Sequence, residues 1–335
     1  MKKLLLIPAL LLLITGCSET EPEITEFDYF YFDTSINVKI YDDAKDLDVE
    51  QIDSDIEELL VRLENTYSPS IEDSAINQVN DRKITEVDDE FISILNQSIK
   101  ACDATNGQYD PSSGALIDLW SINNANHLPS DKEVKEALTN VGCDDVVING
   151  NTITMPEGYR LDFGSSVKGF AGDKIEEILK NAGVENALIN LGGNIQAVGN
   201  KYGKPFNIAI MKPEVENTLN ENVAQMPIED SALVTSGINQ RFFIEDGKVY
   251  HHIIDAIKGE PADNGLASVT IVTDSGADAD ILSTMTFLMG LEDGYDYIMN
   301  TGGVEAIFIT TDKKIYQTKD FNLTILDDTY TIEEM

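Results

Sequence analysis

Basic residues, histidine, cysteine and tryptophan are all scarce in this 335-residue chain, and each scarcity closes off a class of function. Lysine and arginine number 23 against 60 aspartates and glutamates, a formal net charge of −37. Such a surface repels phosphate polymers, so nucleic-acid binding by general electrostatics is excluded. An anionic substrate must then be held locally, by a metal, backbone amides and a few cations. The three cysteines, Cys17, Cys102 and Cys143, have no spacing that suits a zinc or iron–sulfur site. Cys102 falls on the apolar face of a predicted helix with Phe91, Leu95 and Ile99, and Cys143 sits beside a predicted strand. Both are expected as buried free thiols, with a disulfide as the alternative. Long apolar runs are also missing beyond the first residues, so no later segment is expected to cross a membrane.

What is present at the start reads as a lipoprotein signal. Lys2 and Lys3 precede an apolar run over 4–14, too short to span a bilayer comfortably, and Ile14-Thr15-Gly16-Cys17 has the small residues before a cysteine that mark a lipobox. Residues 1–16 are read as signal peptide, with lipidation at Cys17. Residues 17–26, polar and acidic, are read as a tether, and 27–335 as one domain large enough for a sizeable core.

Along that domain, Ile36, Val38 and Ile40 alternate as in a half-buried strand. Val49, Ile52, Ile56, Leu59, Leu60 and Leu63 form the stripe of a helix, ended by Thr66-Tyr67-Ser68-Pro69-Ser70. A second helix is predicted over 89–105, followed by a turn-rich loop over 106–114. Asn149-Gly150 marks a hairpin. A helix follows Ser166, with Gly183 at its C-terminal cap. Strands are expected over 187–191, 206–210, 233–235, 241–244, 249–254, 267–272, 304–310 and 315–318, and helices over 278–289 and near 293–300. Helices and antiparallel hairpins mix without a βαβ rhythm, so the fold class is α+β.

Three segments could carry chemistry. Leu161-Asp162-Phe163-Gly164-Ser165-Ser166-Val167-Lys168-Gly169 places an acid, a tight turn and a lysine at a helix N-terminus, where backbone amides can hold an anion. Asp280, Ser283 and Thr284 share a helix face and all present oxygen, as magnesium prefers; the alternative is a solvated acid beside a packed threonine. His251 and His252, two of three histidines, end a strand and point to opposite faces; either an acid–base group or a structural histidine fits.

These pieces resemble the ApbE family of bacterial flavin transferases in content and order. The shared motifs are Thr66-Tyr67-Ser68-Pro69-Ser70 with Asn77 and Asn80, then Tyr109-Asp110-Pro111 with Gly114 and Trp120, then the Leu161–Gly169 stretch. Leu188-Ile189-Asn190-Leu191-Gly192-Gly193-Asn194, Thr235-Ser236-Gly237, His251-His252-Ile253-Ile254-Asp255, the run from Pro261 to Thr270 and Ala279-Asp280-Ile281-Leu282-Ser283-Thr284 complete them. The resemblance covers nearly all of the chain after the tether.

It implies an ApbE-type fold, mixed largely antiparallel sheets with packed helices, and an enzyme that moves FMN from FAD to a threonine or serine of an acceptor protein, releasing AMP. FAD contacts are implied at Phe32, placed before the first strand, at Tyr67 by stacking, at Gln108, Tyr109 and Asp110, and at Asp162, Lys168 and Ile254. Magnesium is implied at Ser165, Asp280, Ser283 and Thr284, with His252 activating the incoming hydroxyl. The implied partners are flavoprotein subunits of membrane redox pumps, with this chain anchored on the extracytoplasmic face. FAD pyrophosphatase activity and a non-catalytic flavin-binding lipoprotein are the alternatives. Asp274-Ser275-Gly276-Ala277-Asp278 is similar to an acceptor signature, but Asp278 stands where the hydroxyl would be, so no self-flavinylation is expected there. Two further departures are Ser165-Ser166-Val167, where relatives carry smaller or apolar residues, and the missing proline after Asp255.

Overall fold

A computed structural model describes residues 23–122, 128–215, 219, 221–319 and 321–335. The signal region and Cys17 lie outside the described residues. A nine-stranded sheet forms the frame. Its spatial order is Thr25–Tyr31, Thr34–Ile40, Ala187–Leu191, Asn194–Val198, Ser231–Gly237, Leu266–Thr273, Glu305–Thr310, Lys314–Gln317 and Thr331–Ile332. Neighbours pair antiparallel throughout except the last two, which are parallel. This agrees with the α+β expectation. The strand Thr25–Tyr31 begins inside the segment read as tether. Thr25 already pairs with Ile40, so any tether ends before it.

The helices are α1 (Val49–Tyr67), α2 (Ala75–Asn80), α3 (Asp89–Ala104), α4 (Gly114–Trp120), α5 (Asp131–Leu138), α6 (Val167–Asn181), α7 (Gly276–Met289) and α8 (Leu291–Met299). Their N-terminal orphan amides are met by side chains at Asp48, Ser74, Asp88 and Ser130, the residue types that do this best. The stripe of α1 buries Ile52, Ile56, Leu60 and Leu63 with Phe91 and Leu95 of α3 and Ile175 and Leu179 of α6. This layer covers Ile36, Val38 and Ile40 of the sheet. α7 and α8 cover the next part of the sheet through Met285, Phe287 and Ile298 against Val234, Val269 and Phe308. A three-stranded sheet of Phe206–Met211, Asn222–Ile228 and Thr324–Ile325 packs Phe206, Ile208 and Ile210 against Ile195, Leu233 and Ile307 of the main sheet.

Cys102, in the last turns of α3, is disulfide-bonded to Cys143. The expectation of free thiols was therefore wrong. Between the two cysteines the chain runs out through α4 and back through α5, and a separation of 41 residues carries no sign of that return.

Candidate functional site

A cavity of about 440 Å³ opens where α6, α7, the loop before α4 and the residues flanking the β-ribbon Phe242–Glu245/Lys248–His251, among them Arg241 and His252, converge. The two central helices meet there by capping each other. Gly169 N–H, in the first turn of α6, donates to Asp280 Oδ2 of α7 at 2.9 Å. In return Asp173 of α6 accepts from Ser275 Oγ, Gly276 N–H and Ala277 N–H at 2.6–3.0 Å, at the N-terminus of α7. Each carboxylate faces the positive end of the partner helix. The contact needs glycine: a Cβ on Gly169 would overlap the Gly276 carbonyl oxygen and lie 2.8 Å from Asp280 Cβ. The Asp274–Asp278 segment is thus the start of a packed helix, with Ser275 as its cap.

Asp280 is buried, and Lys168 Nζ stands 3.9 Å from its Oδ2 while donating to the Gly164 carbonyl at 3.1 Å. Ser236 Oγ bonds both Ser283 Oγ (2.8 Å) and Thr284 Oγ1 (3.0 Å). Ser165 Oγ donates to the Tyr109 hydroxyl at 2.9 Å. Asp280, Thr284, Ser165 and Lys168 all line the cavity. One buried carboxylate with nearby hydroxyls is an all-oxygen donor set, and magnesium typically takes few protein ligands and completes its shell with waters and phosphates. The set fits that ion. Ser283 does not join it: its side chain is fully buried away from the cavity, and its hydroxyl is engaged by Ser236 and by the Asp280 carbonyl.

Asp162 accepts from Gly164 N–H through Oδ1 at 2.8 Å and lines the cavity; burial pushes its carboxyl up from the ordinary range. Its own N–H donates to the Pro111 carbonyl, tying this turn to the loop before α4. In that loop Tyr109 lines the cavity, its phenol pushed up to about 12 by burial. Asp110 also borders the cavity, but both its oxygens are committed. Oδ1 accepts from Ser112 N–H and Ser112 Oγ, and Oδ2 from Cys143 N–H, at 2.7–2.8 Å. Asp110 therefore ties its loop to the backbone at the disulfide-bonded Cys143. Gln108 lies outside the cavity, against Asp255 and over a separate shallow depression. Of the Gln108 to Asp110 segment implied to contact FAD, the structure brings Tyr109 and Asp110 to the cavity and leaves Gln108 outside its lining.

Tyr67 is the last residue of α1 rather than a loop residue, and it is 2% exposed. Phe91, Phe163 and Phe170 surround its ring at centroid distances of 5.6–6.5 Å. It borders the cavity as part of the core, which leaves little of the ring for stacking. Phe32 sits in the turn between the first two strands, at φ 55, with its N–H held by Glu64 at 2.8 Å. A bulky residue in the left-handed region is uncommon and marks a constrained site. Phe32 and Ile254 both line the cavity.

The two histidines divide as strand alternation predicts. His251 is buried edge-on to Phe287, Nε2 donating to the Ala262 carbonyl and Nδ1 accepting from Ile253 N–H. It is structural. His252 lines the cavity; its Nδ1 lies 3.3 Å from the Arg241 carbonyl, an acceptor only, which assigns the proton to Nδ1 and leaves Nε2 as a base. Burial, aided by His251 and the Arg241 charge, lowers its pKa to about 3. Arg241, Ser236 and Asn194 also line the cavity, and residue types and spacing had given them no role. The signal for Arg241 was the shortage of cations itself.

The sequence model of the ApbE family matches residues 32–308. The chain belongs to the ApbE family. Among ApbE relatives, a protein of Treponema pallidum (strain Nichols) named FAD:protein FMN transferase is 31% identical over 303 residues, covering 84% of this chain and 83% of its own length. One of Vibrio cholerae with the same name is 30% identical, covering 88% and 90%. A solved structure, Flavin Transferase ApbE from Vibrio cholerae, superposes with a TM-score of 0.80 at 27% identity over 90% of this chain and 98% of that one. An ApbE protein from Thermotoga maritima gives the same TM-score at 28% identity, with the same coverage. The ApbE fold expected from the motifs is therefore the fold of this chain.

Proposed function

We propose that this protein is a magnesium-dependent FAD:protein FMN transferase. The observation that carries the reading is the convergence of Lys168, Asp280 and Thr284 with His252 on one cavity in an ApbE chain whose curated relatives carry that name. FAD is a dianionic pyrophosphate, and this acidic protein brings its cavity cations, Lys168 and Arg241, to the same space.

The reaction balances as a phosphoryl substitution. The hydroxyl oxygen of an acceptor threonine or serine bonds to the FMN phosphorus, the bond from that phosphorus to the bridging oxygen breaks, and AMP leaves with that oxygen. The hydroxyl proton goes to Nε2 of His252, whose ring the Arg241 carbonyl orients through Nδ1. Asp280 and Thr284, with the Ser165 oxygen, would hold the magnesium. When bound, the ion would neutralise pyrophosphate charge and stabilise charge developing on the leaving group. Lys168 adds a fixed positive charge beside it, and the α6 N-terminus favours the same anion. Asp162, with one oxygen held by Gly164 N–H, presents the other to a ligand N–H or O–H.

Incubation with FAD, magnesium and a panel of acceptor domains tests this. The acceptor should gain covalent flavin fluorescence and the mass of one FMN, with AMP released. Asp280→Asn should abolish transfer while FAD still binds. Bound FAD with no flavin on any acceptor would refute transfer, and AMP with FMN formed in the absence of acceptor would identify a pyrophosphatase.

We further propose a lipid anchor at Cys17 on the extracytoplasmic face. The lipobox and the Cys102–Cys143 disulfide, a bond that persists in oxidising compartments, support it. Cys17→Ser should move the protein from the membrane to the soluble fraction; continued membrane retention would count against the anchor.

A further inference from the structure

Asn194 opens the strand Asn194–Val198 and lines the cavity, yet it is only 5% exposed, and its Nδ2 is buried without a hydrogen-bond partner. Protein interiors seldom leave an N–H group unpaired, because desolvating it without a partner is unfavourable. Its position in the fold is fixed by Gln196, two residues on and on the same strand face. A Cβ on Gly172 of α6 would lie 3.9 Å from Gln196 Cβ, and one on Gly276 of α7 would lie 3.1 Å from Gln196 Oε1. Gly172 and Gly276 each stand about one helical turn from Gly169 and Asp280, which bond each other beside Lys168. Asn194 lines the same cavity as Lys168 and Asp280.

We infer that Asn194 is a substrate-contact residue whose side-chain N–H groups donate to a phosphate oxygen of the bound dinucleotide. The assignment rests on the flavin-nucleotide reading above. An N–H donor cannot ligate a cation, and the part of FAD that offers only acceptors, and that must reach the Asp280 end for the reaction, is the pyrophosphate. The contact would satisfy the amide that the protein leaves unpaired, and it accounts for an asparagine at a buried strand start where an aliphatic residue would pack at no such expense.

Asn194→Ala and Asn194→Asp separate the outcomes when FAD and ADP, a pyrophosphate without flavin, are titrated calorimetrically with magnesium present. Asn194→Ala should weaken both ligands about 10- to 100-fold, the range for a hydrogen bond to a charged group. It should leave the ligand-free melting temperature equal or higher, because an unpaired buried group has been removed. Asn194→Asp should bind more weakly still, since a carboxylate repels phosphate. Affinities within twofold of the parent in Asn194→Ala would overturn the assignment. So would parent-like binding by Asn194→Asp, which would move the contact to Oδ1. A melting temperature that falls several degrees along with affinity would mark Asn194 as structural and overturn it equally. A parent protein that binds neither nucleotide would bring down the flavin-nucleotide reading itself, and this assignment with it.

Discussion

Gly169→Ala tests how the site is assembled. The added Cβ would overlap the Gly276 carbonyl oxygen and sit 2.8 Å from Asp280 Cβ, so relief requires α6 to move away from α7. Overpacking of this kind costs about 1–3 kcal/mol. The better helix propensity of alanine offsets about 1 kcal/mol. The net loss is about 0–2 kcal/mol, and at roughly 2–4 °C per kcal/mol the melting temperature falls by less than about 8 °C. The chemistry should suffer more. The 2.9 Å bond from Gly169 N–H aims the Asp280 carboxylate, and a misplacement of about 1 Å in such a constellation costs on the order of 100-fold in rate. Flavin fluorescence on the acceptor at saturating FAD gives the rate, and differential scanning fluorimetry gives the melting temperature. Gly172→Ala is the control in the same helix, because its Cβ would meet Leu191 Cδ1 at an ordinary 3.4 Å. A parent-like rate in Gly169→Ala, or an equal loss in Gly172→Ala, would refute the claim that helix spacing sets the position of Asp280.

Three further outcomes follow from the geometry. Replacing Cys102 and Cys143 together by serine should lower stability by up to about 4 kcal/mol on the chain-entropy account of a loop this long; superimposable denaturation curves would contradict it. His252 should remain neutral well below its ordinary value of 6.5. Because the unfolded chain takes up a proton near 6.5 and the folded site does not, its contribution to stability is intact above that pH and is lost as pH falls toward about 3. An NMR titration of the ligand-free protein that places its midpoint near 6.5 would refute the burial argument. Tyr67→Ala should destabilise the fold by about 3–5 kcal/mol, as for other buried aromatic rings, so an unchanged melting temperature would return the ring to the cavity surface.

Much of the frame was legible because it rests on short-range periodicity. The Ile36, Val38 and Ile40 alternation, the Val49–Leu63 stripe, and Gly183 and Gly290 as helix ends all appear where local pattern puts them. Features that depend on distant segments were not legible. Asp280 reads from its own helix as a magnesium ligand or a solvated acid, and Asp173 carries no signal at all; only the α6–α7 contact turns them into reciprocal caps. The strand Asn194–Val198, entered from the preceding one through a tight turn with Gly192 and Gly193 both at positive φ, was not among the expected strands. Tyr67 was placed in a loop by Ser68-Pro69, yet the helix runs through it and the phenylalanines that bury it come from 24 to 103 residues away in sequence. Asp110 borders the cavity, but the direction of its carboxylate depends on Cys143, which no local pattern brings close.

The Cys102–Cys143 bond also alters what a protease can do to this chain. Every peptide bond between those two residues, including those joining the Tyr109–Ser113 wall to α4 and α5, lies inside a covalent ring. A single cut anywhere in the ring opens it without releasing a fragment. Both new ends stay attached to the body, and the Asp110 carboxylate still has Ser112 and Cys143 to hold unless the cut falls among them. A nicked molecule would migrate as one chain without reductant and as two with it. A cut outside the ring enjoys no such tether, so damage tolerance in this fold is distributed by topology rather than by burial.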